Sequence, residues 1–383
     1  QGRKKTEIKY ADSLREDVLR RDFSVNGLAM NPLTEEIVDY VNGKKDIDAK
    51  LIRFIGRPSE RIIEDPLRIL RAIRFKNSLE FEYDEAAKNA IKEAVKKGQI
   101  GLIANERIGG ELTLMLANSS RRQALEDLDE LGIIEKILPE LAAGKGVDQG
   151  PQFHSEGDVW AHQLLIMEHL GEDPSKKLVW TALLHDIGKP VTQTLPKDSK
   201  DRIRFNEHDF VGARMAKKIL KRLKFSSEDI EDICWMIRYH IVISQLSKMR
   251  RSKQLKYLSH PSFAQMLKLY EADGLASWHQ GPGGKVIKKH KKTNLDEIEE
   301  LYQDYLSQSP EKRQPSLKKD LGIDGNWLQK EYKIKEGPDL GKILTQLQEN
   351  YQDGQIKNKK DAHQFVEDFI KRTKAIIEKV KNR

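Results

Sequence analysis

The sequence has few cysteines and no long apolar segments, which are the features typical of secreted and membrane proteins. Its 383 residues include one cysteine, Cys234, so no internal disulfide can form and a reducing compartment is expected. No apolar run approaches the roughly 20 residues needed to span a bilayer, and no charged-then-apolar signal segment opens the chain. We therefore expect a cytoplasmic protein with no membrane partner.

The composition is that of a charged globular chain. Charged residues make up 33% of the sequence, hydrophobic residues make up 38%, and the formal net charge is +8. A chain of this length is expected to form two or three compact units, each able to bury a core. The basic balance favours a polyanionic partner, although charge alone does not identify one.

The first part of the chain has the pattern of a short sheet. Runs of β-type residues are separated by turn signals at Asn31-Pro32 and Asn42-Gly43. These runs predict strands within Phe23–Met30, Glu36–Tyr40 and Leu51–Ile55.

The rest of the chain has the pattern of packed helices. Apolar residues recur at three and four positions from Ser59 to about Leu141, and a second such block runs from Asp158 to about Ser277. The segment Gly281–Lys292 is predicted to be a mobile basic linker. Amphipathic helices with Gly and Pro breaks are predicted from there to the end of the chain.

A cluster of acidic and basic residues begins the first helical block. Asp65 precedes Pro66, which suits a first helical turn, and arginines follow at intervals of three, at Arg68, Arg71 and Arg74. One interpretation is that Asp65 caps the helix. The arginines would then be solvated or paired with Glu60 and Glu64.

The other interpretation is recognition of a nucleobase. Cytosine and adenine both present an amino donor beside a ring-nitrogen acceptor, so a carboxylate and a guanidinium can pair with either base. Uracil and guanine present the reverse order, which leaves an acceptor facing the carboxylate and a donor facing the guanidinium. Asp65 with Arg68 would therefore select C and A.

The second helical block carries residues of the kind that bind a divalent transition metal. Helices of a bundle can bring imidazoles and carboxylates together, and manganese, iron, nickel and zinc accept such mixed ligands. A single histidine is more often a surface or core residue than a ligand, but the adjacent His185-Asp186 favours ligation. The predicted ligands are His162, His185, Asp186, His208, His240 and Asp273.

Three more residues of this block are candidates for supporting roles. Lys189 is interpreted either as a phosphate contact or as an exposed charge at a helix end. His154 and Asp158 are interpreted as groups that orient the metal ligands.

Several segments resemble the class II tRNA nucleotidyltransferases and poly(A) polymerases in their order, their spacing and their amino-acid sequence. They are RRDFSVN from Arg20, LIRFIGRP from Leu51 and ERIIEDPLRILRAIRF from Glu60. The run HDIGKP from His185 is similar to the HD phosphohydrolase signature. The resemblance continues through Gln152-Phe153-His154 to the segment GPDLGK from Gly337, and covers nearly the whole chain.

The resemblance implies roles for particular residues. Glu64, Asp65 and Arg68 correspond to the base-templating motif, and Arg107 corresponds to a neck motif that supports the template. Arg21 and Asp22 correspond to a motif of the head. The predicted nucleotide-binding residues are Arg21, Asp22, Asn26, Glu64, Asp65, Arg68, Arg71 and Arg74.

The resemblance also implies a fold that is mainly α, with a small incomplete α/β head. The expected parts are the C-terminal remnant of a nucleotidyltransferase head, a helical neck for base recognition and RNA binding, an HD-type metal-binding body, and a basic linker with a helical tail that binds tRNA. Their predicted bounds are 1–56, 57–141, 142–280 and 281–383.

One expected feature is missing from the sequence. The family holds divalent ions for nucleotidyl transfer on an Asp-x-Asp pair after a Gly-Gly segment, and no such combination precedes Arg20. Asp46-Ile47-Asp48 follows the head motif and is interpreted as a loop, while Gly109-Gly110 lies in a helical stretch. We therefore expect a chain that lacks the N-terminal part of the head, with no catalytic residue for transfer found.

The predicted function is nevertheless that of a tRNA 3′-end nucleotidyltransferase. It would add CCA from CTP and ATP with Mg²⁺, binding the acceptor arm and 3′ end of tRNA. Three alternatives stay open. They are a poly(A) polymerase, a metal-dependent HD phosphohydrolase acting as a phosphatase or 2′,3′-cyclic phosphodiesterase, and the RNA-binding subunit of a split enzyme.

Overall fold

The computed structural model describes residues 12–150, 154–198, 201–280, 286–288 and 294–381. Within these ranges the chain forms 22 α-helices, three 3-10 helices and four two-stranded sheets. The prediction of a mainly α fold with a small α/β head is confirmed. Among the described residues, none of the helices has both the length and the apolar character needed to cross a bilayer.

The head region contains less strand than its sequence predicts. The first half of the predicted run from Phe23 folds as a 3-10 turn at Ser24–Asn26. The Asn26 side chain accepts the N–H of Phe23 at 3.2 Å, and this local bond competes with strand pairing. The elements are α1 (Leu14–Leu19), β1 (Leu28–Met30), antiparallel β2 (Ile37–Asp39), α2 (Gly43–Asp48) and β3 (Leu51–Ile52).

The neck is a set of packed helices, as its periodicity predicts. The apolar positions Leu70, Ile73, Leu112 and Leu116 are all buried. Strand β4 (Glu82–Tyr83) pairs in parallel with β3 and ties the neck to the head. The helices are α3 (Pro58–Glu64), α4 (Leu67–Leu79), α5 (Glu85–Lys96), α6 (Asn105–Ala117), α7 (Arg121–Glu130), α8 (Ile134–Ile137) and α9 (Pro139–Ala142), with a 3-10 turn at Gln99–Leu102.

The following block is helical apart from a short hairpin. Side chains of Asp158, Ser175 and Ser226 cap α10, α11 and α14 by accepting backbone N–H groups. The elements are α10 (Val159–Glu168), α11 (Lys176–Leu184), α12 (Lys189–Thr192), β5 (Gln193–Thr194), β6 (Arg204–Phe205), α13 (His208–Arg222), α14 (Ser227–Tyr239), a 3-10 turn (Val242–Lys248), α15 (Arg251–Leu258) and α16 (Phe263–Ala276).

Helix α6 joins the neck to this block. Gly109 lies so close to the loop after α13 that a Cβ at this position would meet the backbone oxygen of Leu223 at 2.8 Å. One turn further on, Thr113 Oγ1 accepts the indole N–H of Trp180 at 3.0 Å. Trp180 belongs to α11, so the helix leading to His185 packs directly on the neck.

The predicted basic linker is not entirely a linker. Val286–Lys288 forms β8, which pairs antiparallel with β7 (Trp278–Gln280). The two adjacent β-branched residues Val286 and Ile287 favour a strand, but the many lysines and glycines around them obscured this signal. The other residues of the predicted linker, 281–285 and 289–292, lie outside the described residues, as do 1–11 and Gln152-Phe153 of the sequence predictions.

The tail has its own core. Leu328, Leu347 and Val366 are fully buried within it. The helices, amphipathic as predicted, are α17 (Leu295–Ser307), α18 (Pro310–Arg313), α19 (Leu317–Leu321), α20 (Gly325–Tyr332), α21 (Pro338–Gln352) and α22 (Lys359–Lys381).

Two compact units make up the chain. One is drawn from Gln1–His240 with Lys268–Lys292, and the other from Ile241–Leu267 with Thr293–Arg383. Within the second unit, Lys253 on α15 pairs with Glu349 on α21 at 3.0 Å. The four predicted segment boundaries stay a prediction. Both candidate sites described below belong to the first unit.

Candidate nucleotide cleft and metal centre

An open cleft of about 440 Å³ lies beside the link between α3 and α4. Seven residues singled out from the sequence line it, together with Arg20 and Leu67, which were not predicted. Glu64 and Arg74 are not among its lining residues. The full set is Arg20, Arg21, Asp22, Asn26, Asp65, Leu67, Arg68, Arg71 and Arg107.

Asp65 is held in the cleft by Arg107. The guanidinium of Arg107 donates to both carboxylate oxygens, at 3.0 Å to Oδ1 and 2.8 Å to Oδ2. Oδ1 also accepts the N–H of Leu67 at 3.2 Å, so Asp65 caps α4 as well. Burial alone would raise the pKa of Asp65, but the bonds from Arg107 and Leu67 and the charges of Arg107 and Arg68 together outweigh it and lower the pKa. The group is therefore an ionised acceptor at neutral pH.

Arg68 is held beside Asp65 mainly by two hydrogen bonds that its Nη1 atom donates. Its Nη1 donates to the carbonyl of Arg61 at 2.7 Å and to Glu64 Oε2 at 2.9 Å. Its Nη2 makes only a long contact, 3.5 Å from the carbonyl of Arg20. The pairing of arginine with Glu64 that one interpretation predicts is thus present. It orients Arg68 without using all of the donors of its guanidinium.

Asp22 and Arg71 form an ion pair that also lines the cleft. Asp22 is buried and accepts bonds from Arg71 and from Asn26 Nδ2, the latter at 2.7 Å. Glu111, which the sequence did not single out, lies 3.5 Å from Arg71 Nη1 and accepts from Arg74 Nε at 2.7 Å. Arg74 is therefore committed to Glu111, and Arg71 is shared between two carboxylates.

The head is tied to α3 through Arg61. Its Nη2 donates to the carbonyls of Arg20 and Arg21, both at 2.7 Å. Arg21 in turn donates from Nη1 to the carbonyl of Asn26 at 2.9 Å. Arg61 stands three positions before Glu64 in the motif, so helical spacing offered a signal for it that was not used.

Both Asp-x-Asp segments within the described residues are engaged in packing. Asp46 lies in the short helix α2 and not in a loop as predicted, and it is buried because it accepts from Ser24 Oγ at 2.5 Å and Arg53 Nε at 3.1 Å. Asp127, in the second such segment, accepts from Lys76 at 2.9 Å and from Asn77 at 2.6 Å. These carboxylates stabilise the fold and are not directed into the cleft.

The second site gathers the six predicted ligands from five elements. His162 stands on α10, His185 ends α11 with Asp186 directly after it, His208 begins α13, His240 ends α14 and Asp273 stands on α16. The ring centroids of His185 and His240 lie 5.3 Å apart, as do those of His208 and His240. The predicted ligands come from five different helices or helix ends, and the packing of these helices brings them together.

Backbone carbonyls fix the orientation of three of these rings. The Nδ1 atoms of His185, His208 and His240 lie 2.9, 2.7 and 2.7 Å from the carbonyl oxygens of the residues three positions earlier. A carbonyl only accepts, so each Nδ1 carries the proton. Each Nε2 is therefore left with a lone pair.

These lone pairs point toward one carboxylate. Asp186 Oδ2 lies 3.1 Å from His185 Nε2, and Asp186 Oδ1 lies 3.3 Å from His208 Nε2 and 3.8 Å from His240 Nε2. His162 Nε2 lies 3.2 Å from Asp273 Oδ1 and 3.8 Å from Asp186 Oδ2. The six residues face one another as ligands of a shared site would.

The donor set fits a transition-metal ion. Ligand atoms held about 2.1 Å from one cation lie about 3.0–3.4 Å from each other, which matches most of the distances in the cluster. Nε2 of His185 is also a buried nitrogen with no hydrogen-bond partner among the described residues, which a bound cation would satisfy. The ligand atoms of His162, His185 and Asp186 all lie within 4.8 Å of one another. The same holds for a second group, formed by Asp186, His208 and His240.

Burial and neighbouring groups together set the charges of this cluster. Burial would raise the pKa of Asp186, but the positive charge around it, including the ammonium of Lys189, outweighs this effect, and the pKa lies well below its usual range. Burial lowers the pKa of His240 to about 3, so this ring is neutral. Burial would also lower the pKa of His162, but Asp273 and Glu156 reverse the shift and raise it to about 9.

Two supporting residues differ from the sequence interpretation. Lys189 is buried and is not an exposed helix-end charge, because its Nζ lies 2.7 Å from Asp186 Oδ2 and donates to Gln149 Oε1 at 2.6 Å. Asp158 caps α10 and accepts from Gly146 and Ala161, so it touches no predicted ligand through these bonds.

Glu156 is a residue beside the metal centre that the sequence analysis missed. Its Oε1 lies 2.7 Å from His154 Nδ1 and 2.9 Å from His162 Nδ1. His154 shares this carboxylate with His162, and its ring also packs edge-on against His162 with the ring centroids 5.1 Å apart. Standing in a loop before α10, Glu156 resembled an ordinary surface charge.

Comparison with protein families covers three parts of the chain. Residues 1–53 match the poly A polymerase head domain, residues 80–145 match the probable RNA and SrmB-binding site of polymerase A, and residues 158–272 match the HD domain.

Related proteins agree with these matches. The A-adding tRNA nucleotidyltransferase of Deinococcus radiodurans is 28% identical over 94% of this chain and 80% of its own length. The multifunctional CCA protein of Neisseria meningitidis is 31% identical over 64% of this chain, and the match spans only 57% of that relative.

Solved structures of similar fold include two CCA-adding enzymes. The Bacillus stearothermophilus enzyme, solved in complex with CTP, has a TM-score of 0.61 and 19% identity over 96% of this chain and 77% of that chain. The Thermotoga maritima enzyme has a TM-score of 0.50 and 17% identity over 93% of this chain and 74% of that chain. The chain belongs to the class II family of CCA-adding enzymes and poly(A) polymerases, and it carries an HD domain.

Proposed function

We propose that the chain serves tRNA 3′-end nucleotidyl transfer by selecting ATP and CTP in the cleft beside Asp65. The observation that carries this proposal is the pairing of Asp65 with Arg107, next to the oriented guanidinium of Arg68, at an open cleft. An ionised carboxylate and a guanidinium held side by side can read two adjacent positions on the edge of a base.

The chemistry of the pair sets its selectivity. Oδ2 of Asp65 receives one bond from Arg107 and has a second lone pair available to accept the amino group of adenine or cytosine. Arg68 can donate to the neighbouring ring nitrogen. A uracil or guanine would place a carbonyl against the carboxylate and an N–H against the guanidinium, and each unmade bond costs about 1–3 kcal/mol.

Other residues of the cleft support this role. Arg107 holds Asp65 ionised and in place, and Asp22 with Asn26 fixes Arg71 beside the base site. Arg21 and Arg71 add positive charge where a triphosphate would lie. Glu64 acts by orienting Arg68, and Arg74 acts through its pairing with Glu111.

The proposed partners are tRNA, CTP and ATP, and the proposed ion for transfer is Mg²⁺. The net charge of +8 favours binding to the phosphates of the tRNA acceptor arm and 3′ end. The proposed compartment is the cytoplasm. Both related activities, A addition and CCA addition, occur among the similar proteins, so the two nucleotides must be tested separately.

An incorporation assay tests the proposal. Purified protein is given tRNA that lacks its 3′ nucleotides, with Mg²⁺ and radiolabelled CTP, ATP, UTP or GTP. Incorporation of CTP followed by ATP supports CCA addition, and incorporation of ATP alone supports A addition or poly(A) synthesis. Binding of all four nucleotides without preference would contradict the proposal even if no transfer occurs.

We propose phosphohydrolysis at the metal centre as a second activity. The observation that favours it is the convergence of three backbone-anchored imidazoles on Asp186. His162, His185, Asp186, His208, His240 and Asp273 would hold a divalent transition metal. When bound, such an ion lowers the pKa of a water molecule and so supplies a nucleophile for attack on phosphate.

The chain's own residues would complete that site. The histidines keep their Nε2 lone pairs toward the ion because their Nδ1 protons are held by the backbone. Lys189 balances the charge of Asp186. The test is hydrolysis of 2′,3′-cyclic nucleotides with added Mn²⁺, Ni²⁺ or Co²⁺. Activity abolished by His185→Ala supports the proposal, and no turnover with any of these ions contradicts it.

A further inference from the structure

Glu156 is a buried charge with an unusual set of partners. Its side chain has no exposed surface. Oε2 accepts the backbone N–H of Trp278 at 2.8 Å, which anchors the carboxylate to β7. Oε1 lies within 2.9 Å of the Nδ1 atoms of His154 and His162. An ionised carboxylate is stable in such a place only if these contacts compensate for lost water.

His162 differs from the other three histidines of the cluster in this respect. His185, His208 and His240 each place Nδ1 against a backbone carbonyl. His162 places Nδ1 against Glu156. A carboxylate is a stronger acceptor than a carbonyl, so the imidazole bonded to it is the more basic ligand.

The distances around Glu156 favour hydrogen bonding over a further metal position. Ligand atoms about 2.1 Å from one cation lie about 3.0–3.4 Å apart. Oε1 lies 2.7 Å from one Nδ1 and 2.9 Å from the other, which are hydrogen-bond lengths. The Nε2 side of His162, at 3.2 Å from Asp273, has the longer spacing of a ligand.

We propose that Glu156 is a positioning residue for the metal centre, which holds His162 by accepting a hydrogen bond from its Nδ1–H so that Nε2 faces Asp186 and Asp273. This inference rests on the metal binding proposed above. The His162 ring is close to Glu156 but not aligned for a linear bond, and neither ring nitrogen has an aligned partner among the described residues. Coordination through Nε2 leaves Nδ1 as the donor, with Glu156 as the acceptor in reach.

Metal binding by two variants tests the proposal. Co²⁺ is titrated into the full chain and into Glu156→Ala and Glu156→Gln, with its visible absorption recorded as a report on the ligand field. Glu156→Ala should bind Co²⁺ about 10–100-fold more weakly. The Co²⁺ affinity of Glu156→Gln should lie between those of the original chain and Glu156→Ala, because the amide oxygen still accepts a hydrogen bond but carries no charge. The matched control is Glu135→Gln, which removes a half-exposed carboxylate paired with Lys145 and should bind like the original chain.

A second readout separates positioning from general stability. ¹⁵N NMR of labelled histidines reports the tautomer of His162, which should be Nδ1–H in the metal-bound protein and should lose this preference in Glu156→Ala. If the original chain binds Co²⁺ and Glu156→Ala binds it within twofold, with the tautomer unchanged, the positioning role is wrong. If the original chain itself binds no Co²⁺, the proposed metal centre fails, and this inference fails with it.

Discussion

The nucleotide cleft and the metal centre are both built from carboxylates facing cationic groups, but they differ in how much water reaches them. In the cleft, the side chains of Arg107 and Asp65 are 51% and 30% exposed. In the metal centre, His162, His185 and Asp186 are almost fully buried. Exposed charges are screened and can change partner when a ligand arrives, whereas buried charges depend on every partner at once.

Because of this difference, we expect the loss of one side chain to have a different effect at each site. Loss of Asp65 or Arg107 from the cleft should weaken ligand binding and leave the fold intact. Loss of one group from the metal centre should leave a buried charge unpaired and lower the stability of the whole first unit.

The largest effect is expected for Asp186→Ala. This change removes the carboxylate that faces His185, His208 and Lys189, and it leaves the buried ammonium of Lys189 without its charge partner. We expect the loss of measurable metal content and a decrease of about 3–5 kcal/mol in the free energy of unfolding. Elemental analysis and urea denaturation of the metal-free protein measure the two effects.

The control for this prediction is Asp339→Ala. Asp339 is 86% exposed and only loosely paired with Lys342, so its loss should change stability by less than about 0.5 kcal/mol. Equal stability of the two variants would remove the distinction between the buried and the exposed site.

A smaller effect, confined to ligand binding, is expected for Arg68→Ala. One charged hydrogen bond to the base is lost, which is worth about 1.5–3 kcal/mol, so the Kd for ATP should rise about tenfold to a hundredfold. Isothermal titration measures it. The control is Arg57→Ala, whose side chain is 82% exposed and pairs with Glu60. A change of less than twofold for Arg68→Ala would place the base elsewhere.

Helix α6 contributes to the cleft and packs against the block that holds the metal centre. Substitution of its two adjacent glycines by alanine tests this packing. Gly109→Ala places a Cβ against the backbone of Leu223 and should destabilise the protein by about 1–3 kcal/mol. Gly110→Ala meets no atom within 4 Å and should stabilise the helix by about 0.5–1 kcal/mol. Thermal denaturation compares them, and effects of equal sign would contradict the packing described here.

The smallest effect is a pH dependence from Asp22. Burial would raise the pKa of Asp22, but the bonds from Arg71 and Asn26 outweigh it and lower the pKa below that of an unfolded chain. The stabilisation is therefore complete above about pH 4 and is lost as the pH falls through the folded-state pKa. Urea denaturation between pH 7 and pH 3 should show a steeper decline for the original chain than for Asp22→Asn. Parallel declines would mean that Asp22 gains nothing from its partners.

The sequence grouped three of the residues that line the cleft because these three are close together in the chain. Asp65, Arg68 and Arg71 belong to one short motif, in which Asp65 precedes α4 and the two arginines stand three positions apart on that helix. What spacing did not reveal was the partner of each charge. The bond from Arg107 to Asp65 spans 42 residues, and that from Arg74 to Glu111 spans 37. Such pairs depend on how helices pack and not on local sequence.

The metal centre shows the same limit more strongly. The adjacent His185-Asp186 and its similarity to the HD signature led to six residues that the structure brings together. Glu156 and the burial of Lys189 were not predicted, because a glutamate in a loop and a lysine after a glycine are ordinary surface residues in most sequences. The β7–β8 hairpin was hidden in the same way, by the lysines and glycines around Val286–Lys288.

The most direct test of the central claim is equilibrium binding of ATP, CTP, GTP and UTP to the unaltered chain under identical salt and Mg²⁺ conditions. If Asp65 and Arg68 read the amino-bearing edge of the base, ATP and CTP should bind at least about tenfold more tightly than GTP and UTP, since two bonds are mismatched and each costs about 1–3 kcal/mol. Four equal affinities would show that the cleft holds the triphosphate and does not recognise the base.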